Sequence, residues 1–128
     1  MPLASRRTFL ASTAASAAQI PGANDRVRAA VVGAGGRGTL HIETLKELGA
    51  TVAAVCDVYE PNLQRGLKVA SPGAKSYADH RALLEDKSLD AVVIATPDHW
   101  HAPIAIDAVN AGKDVYIEKP LAHTVEEG

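Results

Sequence analysis

Short apolar runs alternate along this chain with stretches whose apolar residues recur at helical spacing. Val27 to Val32 is a β-branched and alanine run that ends in glycines, the pattern of a buried strand. Across Thr39 to Leu48, positions 40, 42, 45 and 48 are apolar on one helical face, and Gly49 stops the helix. Thr51 to Cys56 reads as a second strand, and Asn62 to Ala70, behind Pro61, as a second helix. Ala74 to Tyr77 is a short third strand, after which Asp79 is placed to cap a helix through Leu84 and Glu85. Ala91 to Ala95 is apolar throughout, as a strand covered on both faces should be. Pro103 to Asn110 is helical and closes at Gly112, ahead of a fifth strand from Val115 to Ile117. Strands separated by helices predict βαβ units and therefore an α/β fold, a doubly wound parallel sheet.

The first 25 residues do not share this pattern. Ser5-Arg6-Arg7-Thr8-Phe9-Leu10 sets two adjacent arginines before a mild run of Ala, Ser, Thr and Leu, and no acidic residue precedes Asp25. A basic start, a weakly apolar middle and a small-residue site such as Ala15-Ser16-Ala17 read as an export signal. The arginine pair resembles the twin-arginine type, although Ala11 stands where a lysine is common. Residues 1–25 are thus expected to be signal and linker, residues 26–128 the folded domain, and the mature protein periplasmic. The apolar run falls short of the roughly 20 residues that a membrane span needs. At the other end, Thr124-Val125-Glu126-Glu127 is a capping box that announces a helix just before Gly128, so the chain is expected to be the front part of a longer protein, cut before a sixth strand.

Composition narrows the class further. With 47% hydrophobic and 22% charged residues the 128-residue chain is neither disordered nor fibrous, and one domain fits its length. Aromatics at 4% leave Ala and Val to pack thin layers. The single Cys56 excludes an internal disulfide or a multi-cysteine metal site. A net charge of −2 offers no basic surface for nucleic acid.

The candidate chemistry begins where the first strand ends. Gly33-Ala34-Gly35-Gly36-Arg37-Gly38 fits G-x-G-x-x-G through Gly33, Gly35 and Gly38, between a strand and a helix. Gly33 permits the tight turn, Gly35 admits a pyrophosphate close to the backbone, and Gly38 lets helix and strand touch. Gly36 and Arg37 border the same place, where free N–H groups and the helix dipole favour phosphate. Asp57 ends the second strand 19 residues after Gly38, a spacing suited to a carboxylate that accepts from the adenosine ribose hydroxyls. A glycine-rich turn beside a surface Asp would give the same letters, and nucleoside methyltransferases use such a loop too. The charge of Asp57 favours NAD over NADP, unless a basic residue such as Arg65 folds back to offset it.

Two later segments lie just after strands, at the carboxyl edge of the sheet: Ala95-Thr96-Pro97-Asp98-His99-Trp100-His101 and Ala111-Gly112-Lys113-Asp114-Val115-Tyr116-Ile117-Glu118-Lys119-Pro120. With the glycine loop they resemble the Gfo/Idh/MocA oxidoreductases, through G-x-G-x-R-G, T-P-x-x-x-H and A-G-K-x-V-x-x-E-K-P, over residues 26–128. The resemblance implies a dinucleotide cofactor bound by a Rossmann domain and hydride transfer from a CH–OH group of a sugar or polyol. It implies that Thr96, Pro97 and His101 lie near the nicotinamide ribose and that Glu118 and Lys119 lie at the nicotinamide and substrate. Lys119 is the candidate catalytic group, because an ammonium stabilises a forming alkoxide and relays protons. Lys119-Pro120 resembles a family position where a cis proline occurs.

His99 and His101 could instead be a metal pair, but no further ligand cluster is evident; Trp100 packs over the cofactor or covers the helix start. His41 could as easily be an ordinary helix residue, and His80 and His123 carry no case. In family members a substrate domain follows, with a catalytic histidine and acid. Without it this chain is expected to bind a dinucleotide and to be a poor enzyme, whether or not it forms a homo-oligomer. An NAD-dependent glycosidase of the same superfamily is the alternative, although those relatives tend to carry E-V-P where this chain has Glu118-Lys119-Pro120. A non-catalytic nucleotide-binding module is the third reading.

Overall fold

The computed structural model describes residues 26–128; the export-signal reading falls outside them. Five parallel strands, β1 (Arg28–Val32), β2 (Thr51–Cys56), β3 (Lys75–Tyr77), β4 (Ala91–Ile94) and β5 (Asp114–Ile117), form one sheet in the order β3-β2-β1-β4-β5. Helices α1 (Gly36–Glu47), α2 (Glu60–Val69), α3 (His80–Leu84) and α4 (His101–Asn110) connect them, with a 3-10 turn over Asp98–Trp100. The α/β doubly wound sheet predicted above is present.

Alternate residues of the central strands β1, β2 and β4 build two cores. Val31, Val52, Val55 and Val93 meet Ile42 of α1 and Leu63 of α2 on one face. Ala30, Val32, Ala54, Val92 and Ile94 meet Leu83 and Leu84 of α3 and Ile104 and Ala108 of α4 on the other. The central strands are therefore apolar without alternation, because both faces are covered. Strand order runs outward from β1 to β3 and then returns to place β4 against β1. The loops leaving β1 and β4 diverge to opposite faces at that point, which opens a crevice at the carboxyl ends of the strands.

Helix starts differ most from the sequence pattern. Helix α1 begins at Gly36, three residues before Thr39, because its first turn is built of Gly36-Arg37-Gly38 and carries no apolar period. Helix α4 begins at His101 rather than Pro103, since a proline in the first turn needs no N–H partner. Pro61 likewise sits inside the first turn of α2. Asp79 caps α3 as expected, its side chain accepting from Arg81 N. The Thr124 hydroxyl accepts from Glu127 N while the Glu127 carboxylate accepts from Thr124 N, so the capping box forms around a single turn.

Lys113, from A-G-K, is a buried brace. It is 8% exposed and its ammonium donates to the carbonyls of Asp86 and Leu89, both at 2.8 Å, tying the α3–β4 loop to the start of β5. Lys113→Met keeps the stem but leaves two carbonyls without their donor, at a cost of about 2 kcal/mol. The expected fall in thermal midpoint is roughly 10 °C; a midpoint within 2 °C of the parent would refute the brace.

Candidate functional site

A cavity of about 760 Å³ lies at the carboxyl edge of the sheet. The glycine loop, the end of β2, the start of α3 and the turn after β4 line it. The loop takes its shape from three contacts. Gly33 has φ +89° and donates to Cys56 O at 2.8 Å, and a Cβ there would lie 2.7 Å from the backbone of Ala95 and Thr96. A Cβ on Gly38 would lie 1.7 Å from Gly33 O, so helix and strand touch here as the motif requires. Gly35 is the N-cap of α1 and supplies no side-chain acceptor, which leaves the first amides of the helix open toward an anion. Gly66 on α2 plays a similar part unannounced by any motif: its Cβ would meet Ala34 and Val55 at 2.8 Å.

Asp57 shapes the loop as well as bordering the cavity. Its Oδ2 accepts from Ala34 N and its Oδ1 from Tyr59 N, both at 2.8 Å. Each oxygen keeps a further lone pair for a hydroxyl donor. Arg65 donates to Oδ1 of Asn62, a residue at the cavity wall, at 3.3 Å, and does not itself line the cavity. The arginines lining the cavity are Arg37 and Arg81. Cys56 also lines it, but burial, with the charges of Asp57 and Asp79, pushes its thiol up to about 12, so it stays protonated and unreactive.

Of the predicted residues, Gly33, Gly35, Gly36, Arg37, Asp57, Thr96 and Pro97 line the cavity together. Gly38, His101, Glu118 and Lys119 do not. His101 is 1% exposed, with Nδ1 2.6 Å from Pro120 O and Nε2 2.9 Å from Thr96 O. Its buried ring thus sits between carbonyls of the turn after β4 and the turn after β5, and a neutral imidazole, with one N–H, donates to one of the two. The Lys119–Pro120 peptide is cis. Lys119 is exposed beyond the end of β5, and its ammonium makes no hydrogen bond or ion pair among the described residues.

Glu118 is buried beside Lys119 and gathers two donors on Oε1: Arg37 Nε at 2.8 Å and His41 Nε2 at 2.6 Å. Arg37, then His41, hold its carboxyl down at about 2, below the ordinary 4.5. Because the folded value is lowered, this contribution to stability is complete above pH 4.5 and is lost as pH falls towards 2. Glu118→Gln is therefore expected to flatten the acid loss of stability between pH 4.5 and 2, read by thermal melts; an unchanged slope would contradict it.

His41 was not legible as a site residue by motif, though its spacing of four from Arg37 puts both on one face of α1. His80 also lines the cavity, held by Nε2 to Asp107 at 2.8 Å. That partner lies 27 residues away and leaves no local signal.

Residues 27–128 match the family described as "Oxidoreductase family, NAD-binding Rossmann fold". The chain is 38% identical over 110 residues to glycosyl hydrolase family 109 protein 1 of Shewanella sp. (strain ANA-3), covering 79% of this chain and 24% of that protein. An alpha-N-acetylgalactosaminidase of Shewanella oneidensis matches with the same figures. Among solved structures, myo-inositol dehydrogenase from Lactobacillus casei in complex with NAD(H) and myo-inositol superposes with a TM-score of 0.76 at 32% identity, over 80% of this chain and 31% of that one. The WlbA dehydrogenase from Bordetella pertussis in complex with NADH and UDP-GlcNAcA gives 0.74 at 30%, over 80% and 32%. The chain spans about a quarter of the length of the curated relatives it matches. A glycine loop packed on its own strand, an acid holding that loop and an E-K-P strand end, all at one sheet edge, agree with these likenesses: the chain belongs to the Gfo/Idh/MocA oxidoreductase family and carries its NAD-binding Rossmann fold.

Proposed function

We propose that this chain is the cofactor-binding part of an enzyme that takes hydride from a CH–OH carbon of a sugar or polyol. The observation that carries the reading is the meeting, at the carboxyl ends of β1, β2 and β4, of open helix amides, the Asp57 carboxylate and the Thr96-Pro97 turn around one cavity. Bound NAD supplies the hydride acceptor. Gly35 and Gly36 offer backbone to the pyrophosphate, Asp57 accepts from the adenosine ribose, and Thr96 with Pro97 borders the nicotinamide ribose. Lys119, exposed and without a protein partner among the described residues, stabilises the alkoxide as the hydroxyl loses its proton. NAD is favoured over NADP because the carboxylate of Asp57 repels a 2′-phosphate.

The 38% identity to glycosyl hydrolase family 109 proteins supports a second reading, a glycosidase that oxidises its sugar only transiently. Both readings share the first hydride transfer. The full-length protein assayed with NAD, free sugars and polyols, and nitrophenyl glycosides separates them. Accumulating NADH supports the dehydrogenase, nitrophenol release without net NADH supports the glycosidase, and neither product refutes both.

Arg6-Arg7 and the mild apolar run after them support export to the periplasm by the twin-arginine route. An exported reporter fused behind residues 1–25 is expected to stay in the cytoplasm once both arginines become lysine; unaffected export would contradict the assignment.

A further inference from the structure

Two side chains one turn apart on α1 converge on a single carboxylate oxygen at the end of β5. Arg37 Nε lies 2.8 Å and His41 Nε2 2.6 Å from Glu118 Oε1. The Glu118 side chain is 11% exposed and that of His41 18%, whereas the Arg37 side chain is 60% exposed and lines the cavity beside Gly35 and Gly36. An ionised carboxylate only accepts, so His41 carries its proton on Nε2. The imidazole also stands edge-on to Tyr116, centroids 5.4 Å apart, which restricts its orientation.

The contact between Arg37 and Glu118 has an unusual form. A guanidinium and a carboxylate left to themselves favour a two-bond fork through both oxygens. Here Arg37 uses Nε alone, and only on the oxygen that His41 already occupies. Its two terminal nitrogens make no hydrogen bond among the described residues. The arginine is therefore anchored along one edge while the other edge is left with donors to spare.

We propose that His41 and Glu118 are positioning residues that hold the Arg37 guanidinium as a preset donor for the pyrophosphate of the cofactor, and that they thereby tie the phosphate loop to the strand end carrying Lys119. The inference rests on the cofactor reading given above. Fixing one edge of a long side chain in advance reduces the freedom lost on binding. His41 has a separate part: by holding Oε1 it keeps Glu118 from turning both oxygens to Arg37 and drawing its terminal nitrogens away from the ligand. No contact of His41 with the ligand is needed.

Titration calorimetry on the full-length protein tests this with ADP-ribose, which contains a pyrophosphate, and adenosine, which does not. His41→Leu is expected to weaken ADP-ribose about tenfold and leave adenosine unchanged. His41→Gln, whose amide can donate to Oε1, is expected to recover most of the loss. Equal ADP-ribose affinity in His41→Leu and the parent would overturn the proposal while the cofactor reading stands, and an equal loss for adenosine would reduce His41 to a packing role and overturn it too. A parent that does not bind ADP-ribose would remove the cofactor reading and the proposal together. Should His41→Leu fail to fold, nitrogen-15 NMR of the unaltered protein decides: the Arg37 Nε–H signal is expected to stay protected while the terminal nitrogens shift on adding ADP-ribose. Arg37 signals that do not move at saturation would overturn the proposal.

Discussion

Gly38→Ala is expected to abolish measurable NAD binding and to lower stability by about 3 kcal/mol or more. The added Cβ would stand 1.7 Å from Gly33 O and 2.8 Å from Gly33 C, where the neighbour is backbone rather than the flexible end of a side chain. Either α1 must lift away from β1 or the turn at Gly33 must open. Gly33 has little room to yield, because its own N–H is held by Cys56 O and its α-carbon faces the backbone of Ala95 and Thr96. Relief of the clash therefore moves the amides that would meet phosphate. Gly36→Ala is the control: nothing lies within 4 Å of its added Cβ, and the expected stability change is within about 1 kcal/mol. Thermal melts and NAD titration on both variants check the pair; a Gly38→Ala protein that behaves like Gly36→Ala would mean that the close contact does not shape the loop.

Asp57→Ala carries the second large effect. The residue holds two backbone amides, Ala34 N inside the loop and Tyr59 N at the entry to α2, each at 2.8 Å. Hydrogen bonds to a charged acceptor contribute about 1.5–3 kcal/mol each, so losing both costs several times the effect of an ordinary surface change. The proposed ribose acceptor disappears at the same time. NAD affinity is expected to fall by roughly a hundredfold and stability by about 3 kcal/mol or more. Asp57→Asn keeps one acceptor oxygen but turns an amide group toward an N–H, and it should fall between parent and Asp57→Ala in both measurements. Unchanged NAD affinity in Asp57→Ala would place the adenosine end of the ligand elsewhere.

These expectations show which parts of the molecule can be read from the chain. Strands were legible because burial on both faces leaves uninterrupted apolar runs: Thr51–Cys56 has the same bounds in sequence and structure. Helix starts were less so, since the first turn of α1 is glycine, arginine and glycine, chosen for the loop rather than for the core. The glycine loop and Asp57 announced themselves by spacing, yet the double duty of Asp57 did not, because its amide partners are backbone groups that carry no letter. His101 is a similar case. The motif places it near the cofactor, and the fold adds a part that no motif announces: its buried ring lies between the carbonyls of Thr96 and Pro120 and braces the turns around the site. Glu118 was named by its motif, but its partners Arg37 and His41 lie 81 and 77 residues earlier and meet it only through the parallel pairing that brings β5 to the edge beside β4. Lys113 shows the same limit, as a motif residue whose role is to satisfy two carbonyls in a loop more than twenty residues away.

The central claim is that the cavity at the carboxyl edge holds a dinucleotide laid across the Gly33–Gly38 loop. A crystal structure of the full-length protein with NAD tests it most directly. The account predicts pyrophosphate density against the backbone of Gly35 and Gly36, the adenosine ribose at Asp57 and the nicotinamide side at Thr96 and Pro97. Dinucleotide density away from this loop, or a cavity that stays free of it at saturating NAD, would contradict the account.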